Sequence, residues 1–188
     1  QKLPPSNMFV NNKSLLATWN APVGLSYPLL EDWASGNFTT NGWTSVANWS
    51  VITSFGNPAP SARFYYSPTL TNYDRSLISK TLTGTGSPDQ KLLYDIYLSN
   101  FSTATLEELA VEYQVGGAGP WMLIKHYDNT GGSIPWTSET LNIASIGSQT
   151  YKIRFRAYGA NSFNINNWNI DTIKVRSIAP DPKPCILA

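Results

Sequence analysis

Asp171 is the residue whose setting most invites chemistry. It stands in Trp168-Asn-Ile-Asp-Thr-Ile-Lys-Val175, which follows the strictly alternating stretch Thr150-Tyr-Lys-Ile-Arg-Phe-Arg-Ala-Tyr-Gly159. Side chains alternate with period two in a strand, so regular alternation sets Asp171 on one face with Ile173 and Val175. A carboxylate on an apolar face needs a cation, a metal or several donors, because burying an unpaired charge is expensive. Asp171 is therefore expected at a bound ion, at an ion pair with Arg63 or Arg154, or at a capped loop. Calcium takes six to eight oxygens, including carboxylates and backbone carbonyls. Glu31, near the start of the chain's main body, is the second carboxylate expected there, and the Asn-rich loop from Asn161 to Asn169 offers carbonyls.

The residues that serve catalysis elsewhere are poorly assembled. His126 is the single histidine, and Asp128 is too close in the chain to be an obvious triad partner. Gly-x-Ser-x-Gly, His-Glu-x-x-His and P-loop patterns are absent. Two carboxylates working as acid and base must converge. Glu31 with Asp32, and Glu107 with Glu108, are adjacent, so within strands they point to opposite faces. The reading is that the chain is not an enzyme.

A mixed polar face is the better candidate for function. Lys152, Arg154, Arg156 and Tyr158 share one side of a strand, with Asp95, Tyr97, Glu108 and Glu112 expected on matching faces of others. Charges mixed with aromatics suit a sugar or a protein surface, and Trp136, Tyr65 and Tyr66 are further stacking candidates. The ligand-binding set is thus Arg154, Arg156, Tyr158, Tyr97 and Trp136. The bland alternative is a solvated, salt-bridged face of little energetic worth.

Composition bounds the elements that must position these groups. The chain has 188 residues, 13% charged and 13% aromatic, with 13 Gly, 13 Pro and a formal net charge of +1. That balance carries no nucleic-acid footprint. The one cysteine, Cys185, cannot form an internal disulfide. No apolar run approaches the ~20 residues a spanning helix needs. The polar, aromatic-rich composition fits a secreted or bacterial cell-surface protein. Since the chain starts at Gln1 and stops at Ala188, it is read as a piece of a longer polypeptide.

Strands are expected at 27–33, 49–53, 62–66, 76–82, 91–98, 108–115, 121–127, 139–143, 151–158 and 168–176, with 102–109 as a weak helical alternative. Alternation is clear for Leu92, Tyr94, Ile96 and Leu98, for Leu109, Val111, Tyr113 and Val115, and for Tyr151, Ile153, Phe155 and Ala157. Many short strands at this spacing imply a sandwich or barrel. We read an all-β jelly-roll sandwich of two mainly antiparallel sheets over residues 25–177. Residues 1–24, with strands at Met8-Phe-Val and Ser14–Trp19, resemble the first strands of a fibronectin type III domain. Residues 178–188 are a Pro-rich linker toward a further strand.

One family resemblance covers about residues 28–176. Leu29-Leu-Glu-Asp-Trp-Ala-Ser-Gly36, Asn41-Gly-Trp43 and Trp49 form its first part. Asp95-Ile-Tyr-Leu-Ser99, Val115 to Trp121, Ile153-Arg-Phe-Arg156 and Trp168-Asn-Ile-Asp171 form its second. Taken in order they resemble the cleaved-adhesin domains of the gingipain type, and more distantly MAM domains. The resemblance implies a non-catalytic jelly roll from a large secreted or surface protein of Bacteroidetes, often carrying structural Ca²⁺ and set beside fibronectin type III modules. It implies a host or matrix protein or a glycan as partner, besides neighbouring domains, with no nucleic acid and no membrane insertion. The alternative is a structural spacer in a larger secreted protease or hydrolase. The family often has a Phe-Glu pair in its first strand; here those positions read Trp33-Ala34, so no acid stands at 34.

Overall fold

The computed structural model describes residues 8–11, 16–19 and 25–178, with side chains described from 27 to 177. In chain order the strands are β1 (Met8–Asn11), β2 (Leu16–Trp19), β3 (Leu25–Glu31), β4 (Thr44–Ser45), β5 (Trp49–Ile52), β6 (Ser61–Tyr65) and β7 (Thr71–Ile78). They continue with β8 (Leu82–Thr83), β9 (Lys91–Asn100), β10 (Glu107–Val115), β11 (Met122–Asp128), β12 (Ile134–Asn142), β13 (Thr150–Asn161) and β14 (Ile165–Ile178).

Among the described residues the strands make two six-stranded antiparallel sheets and one hairpin. The first sheet runs β11-β10-β13-β7-β4, with β8 also on β13. The second runs β12-β9-β14-β6-β5, with β3 also on β14. The long β14 lies along β9 on one side and serves β6 and then β3 on the other. This is the jelly-roll sandwich read from the strand pattern. The 102–109 segment is loop up to Leu106 and strand from Glu107.

The two inner faces supply the core. On β13, Tyr151, Ile153, Phe155 and Ala157 are buried while Lys152, Arg154, Arg156 and Tyr158 alternate outward. Leu92, Tyr94, Ile96 and Leu98 do the same for β9. The ring of Tyr94 meets that of Phe155 edge-on at 5.4 Å, joining the two sheets. Burying one such side chain contributes about 1.5–3 kcal/mol. Tyr113, expected in this core, is only half-buried at its margin. Trp33, Trp43, Trp49 and Trp168 are also core.

β1 and β2 pair antiparallel, with Met8 opposite Trp19. The remainder of the fibronectin-like reading, the C-terminal linker and Cys185 lie outside the described residues. No described helix is long and apolar enough to cross a membrane.

Candidate functional site

The alternation of β14 breaks at Thr172, and this decides the site. Asp171 is paired with Asp95 of β9, but the next pair is Lys174 with Leu93, so β14 carries an extra residue in a bulge. Thr172 has φ 50°, a left-handed conformation that few β-branched residues adopt. Ile170 and Ile173 both turn inward across the bulge and are fully buried. Asp171 therefore faces outward with Asn169, not inward with Ile173 and Val175 as uninterrupted alternation implied.

This corrects the expectation of an ion shared by Glu31 and Asp171. Glu31 is paired with inward-facing Ile173, so the two carboxylates lie on opposite faces of the sheet. Glu31 accepts hydrogen bonds from the Trp33 amide (2.9 Å), Asn41 Nδ2 (3.1 Å) and Trp43 Nε1 (3.0 Å). Those donors fill both its oxygens and pin the 32–43 loop to the core. The pair does not fit a calcium ion. Nor do the described residues hold any group of three or more His, Cys, Asp or Glu arranged for a metal.

Among the described residues Asp171 has no guanidinium partner either. Oδ2 accepts the Asn57 amide at 2.6 Å and Oδ1 the Thr172 amide at 2.6 Å. Asp95 accepts Ser138 Oγ (2.5 Å) and Asn57 Nδ2 (3.3 Å). Burial pushes the Asp171 carboxyl above its ordinary range, helped by the charges of Asp95 and Asp32 and opposed by its two backbone donors.

Asn57 belongs to the β5–β6 connection, residues 53–60, which is laid as a strap across the outer face of the second sheet. It spans β14 and β9 through Asn57, and it reaches β12 through Phe55, whose ring stacks on Trp136 at 5.6 Å and meets Tyr97 at 5.1 Å. Tyr97 and Trp136 are themselves 5.4 Å apart. Beside the strap runs a groove of about 240 Å³, walled by Phe55, Tyr97, Arg63, Ser99, Asn167 and Asn169.

The expected binding residues are thus divided between two faces. Tyr97 and Trp136 lie on the outer face of the second sheet. Arg154, Arg156 and Tyr158 lie on the outer face of the first, so the single polar face expected from the sequence does not exist. Arg154 binds Glu112 at 2.5 Å and covers the ring of Trp121 at 4.3 Å. Arg156 binds Glu112 and Asp74 at 3.2 Å each and covers Tyr158 at 4.0 Å. Tyr158 donates to Glu108 at 3.1 Å, and His126 contacts the same carboxylate oxygen at 2.6 Å. This face is closed on itself by its own ion pairs.

The acid pairs behave as adjacency required. Glu107 is buried and Glu108 faces outward, while Glu31 is buried and Asp32 exposed. Of the groove residues only Tyr97 was an expected binding residue, and Phe55 and Arg63 are the most consequential of those missed. Phe55 is an isolated aromatic in a Gly/Asn/Pro loop, and that isolation was its only signal. Arg63 was weighed only as a partner for Asp171.

No protein-family model matches the sequence, and no curated protein matches it. Solved structures do. The K1 cleaved adhesin domain of Lys-gingipain from Porphyromonas gingivalis aligns at 14% identity and TM-score 0.60, covering 79% of this chain and 97% of that one. The K3 domain of the same protein aligns at 16% and 0.56, covering 81% and 99%. A structure described for carbohydrate-binding modules of the β-sandwich superfamily aligns at 11% and 0.51, covering 77% and 60%. At these identities the likeness is one of fold: a jelly-roll β-sandwich like that of the gingipain adhesin domains.

Proposed function

We propose that this chain is a non-catalytic, secreted or cell-surface binding module whose ligand is a glycan held on the outer face of the second sheet. The observation that carries the reading is the groove bounded by Phe55 and Tyr97, with Ser99, Asn167 and Asn169 beside them. Sugars present a C–H face that packs on aromatic rings and a rim of hydroxyls that pair with amides and hydroxyls. Rings beside short polar side chains, on a rigid sheet, meet both requirements. The carbohydrate-binding modules among the similar folds support the same class of ligand. The face of Arg154, Arg156 and Tyr158 is the weaker site, because its charges are already satisfied within the protein.

The test is a glycan array followed by calorimetry. Tyr97→Ala should lose binding while its circular dichroism and Tm stay near wild type. Arg154→Ala should keep binding. Loss on Arg154→Ala, with Tyr97→Ala unaffected, would move the site to the first sheet.

A protein partner is the second reading, and it rests on a different place. Phe101 and Phe163 are 62% and 48% exposed, meet edge-on at 5.2 Å, and continue through Tyr66 to Tyr65. This aromatic tip lies at the β9–β10 and β13–β14 connections. Pull-down of host or matrix protein that fails with Phe101→Ser but survives Tyr97→Ala would favour it.

A further inference from the structure

We infer that the groove selects an acidic sugar, binding its carboxylate through Arg63; the inference rests on the glycan reading above. Arg63 stands on β6, opposite Asn169 of β14 and Ser50 of β5, and it lines the groove. The other described arginines are engaged. Arg154, Arg156 and Arg176 pair with carboxylates, and Arg75 donates to the Asp74 carbonyl. The Arg63 side chain has neither an ion pair nor a hydrogen bond among the described residues. Its Nε is enclosed without an acceptor, and the guanidinium lies over the Tyr65 ring at 4.5 Å. The ring holds the cation in place without neutralising it.

A half-buried, oriented, unneutralised guanidinium between aromatic and amide walls is a receptor for a planar anion. Arginine matches a carboxylate in two-pronged geometry, which an ammonium does not. Asn167 and Asn169 flank it on the next strand; Asn169 is buried and bonded to Asn167 and Ser61, so half-buried Asn167 is the amide at the groove that can meet a neighbouring hydroxyl. The size is also restrictive. About 240 Å³ lies below the roughly 300–1,000 Å³ of drug-sized pockets, so the groove takes about one sugar ring. The charge is restrictive too. Asp95 and Asp171 lie two positions along β9 and β14 from Tyr97 and Asn169. Among the described wall residues Arg63 is the charged one, and a lone guanidinium near two carboxylates suits a single negative charge and repels a densely sulfated polymer. The ligand class is therefore a glycan with one carboxylate in its bound residue, a uronic acid or a sialic acid.

Calorimetry on the full chain with two matched pairs tests this. The pairs are trigalacturonic acid against its carboxyl-reduced neutral trimer, and sialyllactose against lactose. Wild type should bind the acidic member of one pair roughly 10- to 100-fold tighter, the range for a charge-assisted hydrogen bond. The pair that shows it distinguishes a uronate from a sialic acid. Arg63→Gln should bring the ratio to about one, and Tyr97→Ala should weaken both members. If Arg63→Gln does not fold, Arg63→Lys replaces it, with an intermediate ratio expected. Equal binding of acidic and neutral members, lost on Tyr97→Ala, would overturn the acidic inference and leave the glycan reading intact. An acidic preference that survives both Arg63 variants would remove Arg63 from the site. No binding to any of these probes, and none on the wider array, would overturn both readings together.

Discussion

Asp95 and Asp171 face each other across adjacent antiparallel strands, and the backbone amide and side-chain amide of Asn57 are shared between them. Like charges opposite one another destabilise a sheet. Here the strap offsets that repulsion by supplying donors, so its seat on the sheet is electrostatic as well as apolar.

The pH dependence follows from that pair. The folded state raises the Asp171 carboxyl above 3.8, first through burial and then through Asp95 and Asp32. Between the ordinary and the raised value the folded chain binds more protons than the unfolded one. Stability contributed by this group therefore rises as pH falls through the raised value and levels off below the ordinary one. Asp95→Asn removes the neighbouring charge and should shrink the slope. Denaturant titrations at several pH values, with carboxyl chemical shifts of Asp171, would measure it; an unchanged slope would contradict the pairing.

Gly56 is where the strap is most tightly turned. A Cβ there would lie 2.6 Å from Ala59 Cα and 2.7 Å from the Pro58 carbonyl. Gly56→Ala should displace the strap at a cost of about 1–3 kcal/mol, the usual range for overpacking. Phe55 should lose its ring-current shifts from Tyr97 and Trp136, and sugar affinity should fall with them. Retained shifts would show the turn to be more tolerant than its geometry implies.

On the first sheet, Glu112 serves two cations. Its side chain is 7% exposed, and those of Arg154 and Arg156 are 17% and 22%. Glu112→Ala strands the Arg154 guanidinium and leaves Arg156 only its exposed partner Asp74, and should cost about 2 kcal/mol. Arg154→Ala leaves Glu112 still bound to Arg156 and should cost about 1 kcal/mol or less. Urea denaturation of both variants and the double mutant reads the asymmetry, and equal losses would break it.

Glu31 closes the 32–43 loop through protein donors. Glu31→Ala should cost about 3 kcal/mol, because the Trp33 amide and the Trp43 indole N–H lose a charged acceptor. The loss should be the same in excess calcium and in EDTA. A loss confined to calcium-containing buffer would make Glu31 a metal ligand after all.

The sandwich was legible because burial imposes period two on each strand. Tyr151, Ile153, Phe155 and Ala157, or Leu92, Tyr94, Ile96 and Leu98, announce their strands and their inner faces without reference to any neighbour. The divergence of the adjacent acid pairs was legible in the same way, since neighbours in a strand point to opposite faces. What alternation does not carry is which sheet a strand joins. It marked Arg154, Tyr158 and Tyr97 as outward-facing, and only the strand order set β13 in one sheet and β9 in the other. The bulge at Thr172 was equally silent, because the extra residue exists only relative to the partner strand β9. That single insertion turned Asp171 from the core side of the sheet to its outer face, where the strap buries it. The groove itself depends on a loop without periodicity, folded back over β14 to bring Phe55 to Tyr97 and to form a wall opposite Arg63. Local pattern thus determined the strands and their two faces. Pairing between distant segments decided which faces coincide, because register and strand order are set by contacts that no single stretch of sequence contains.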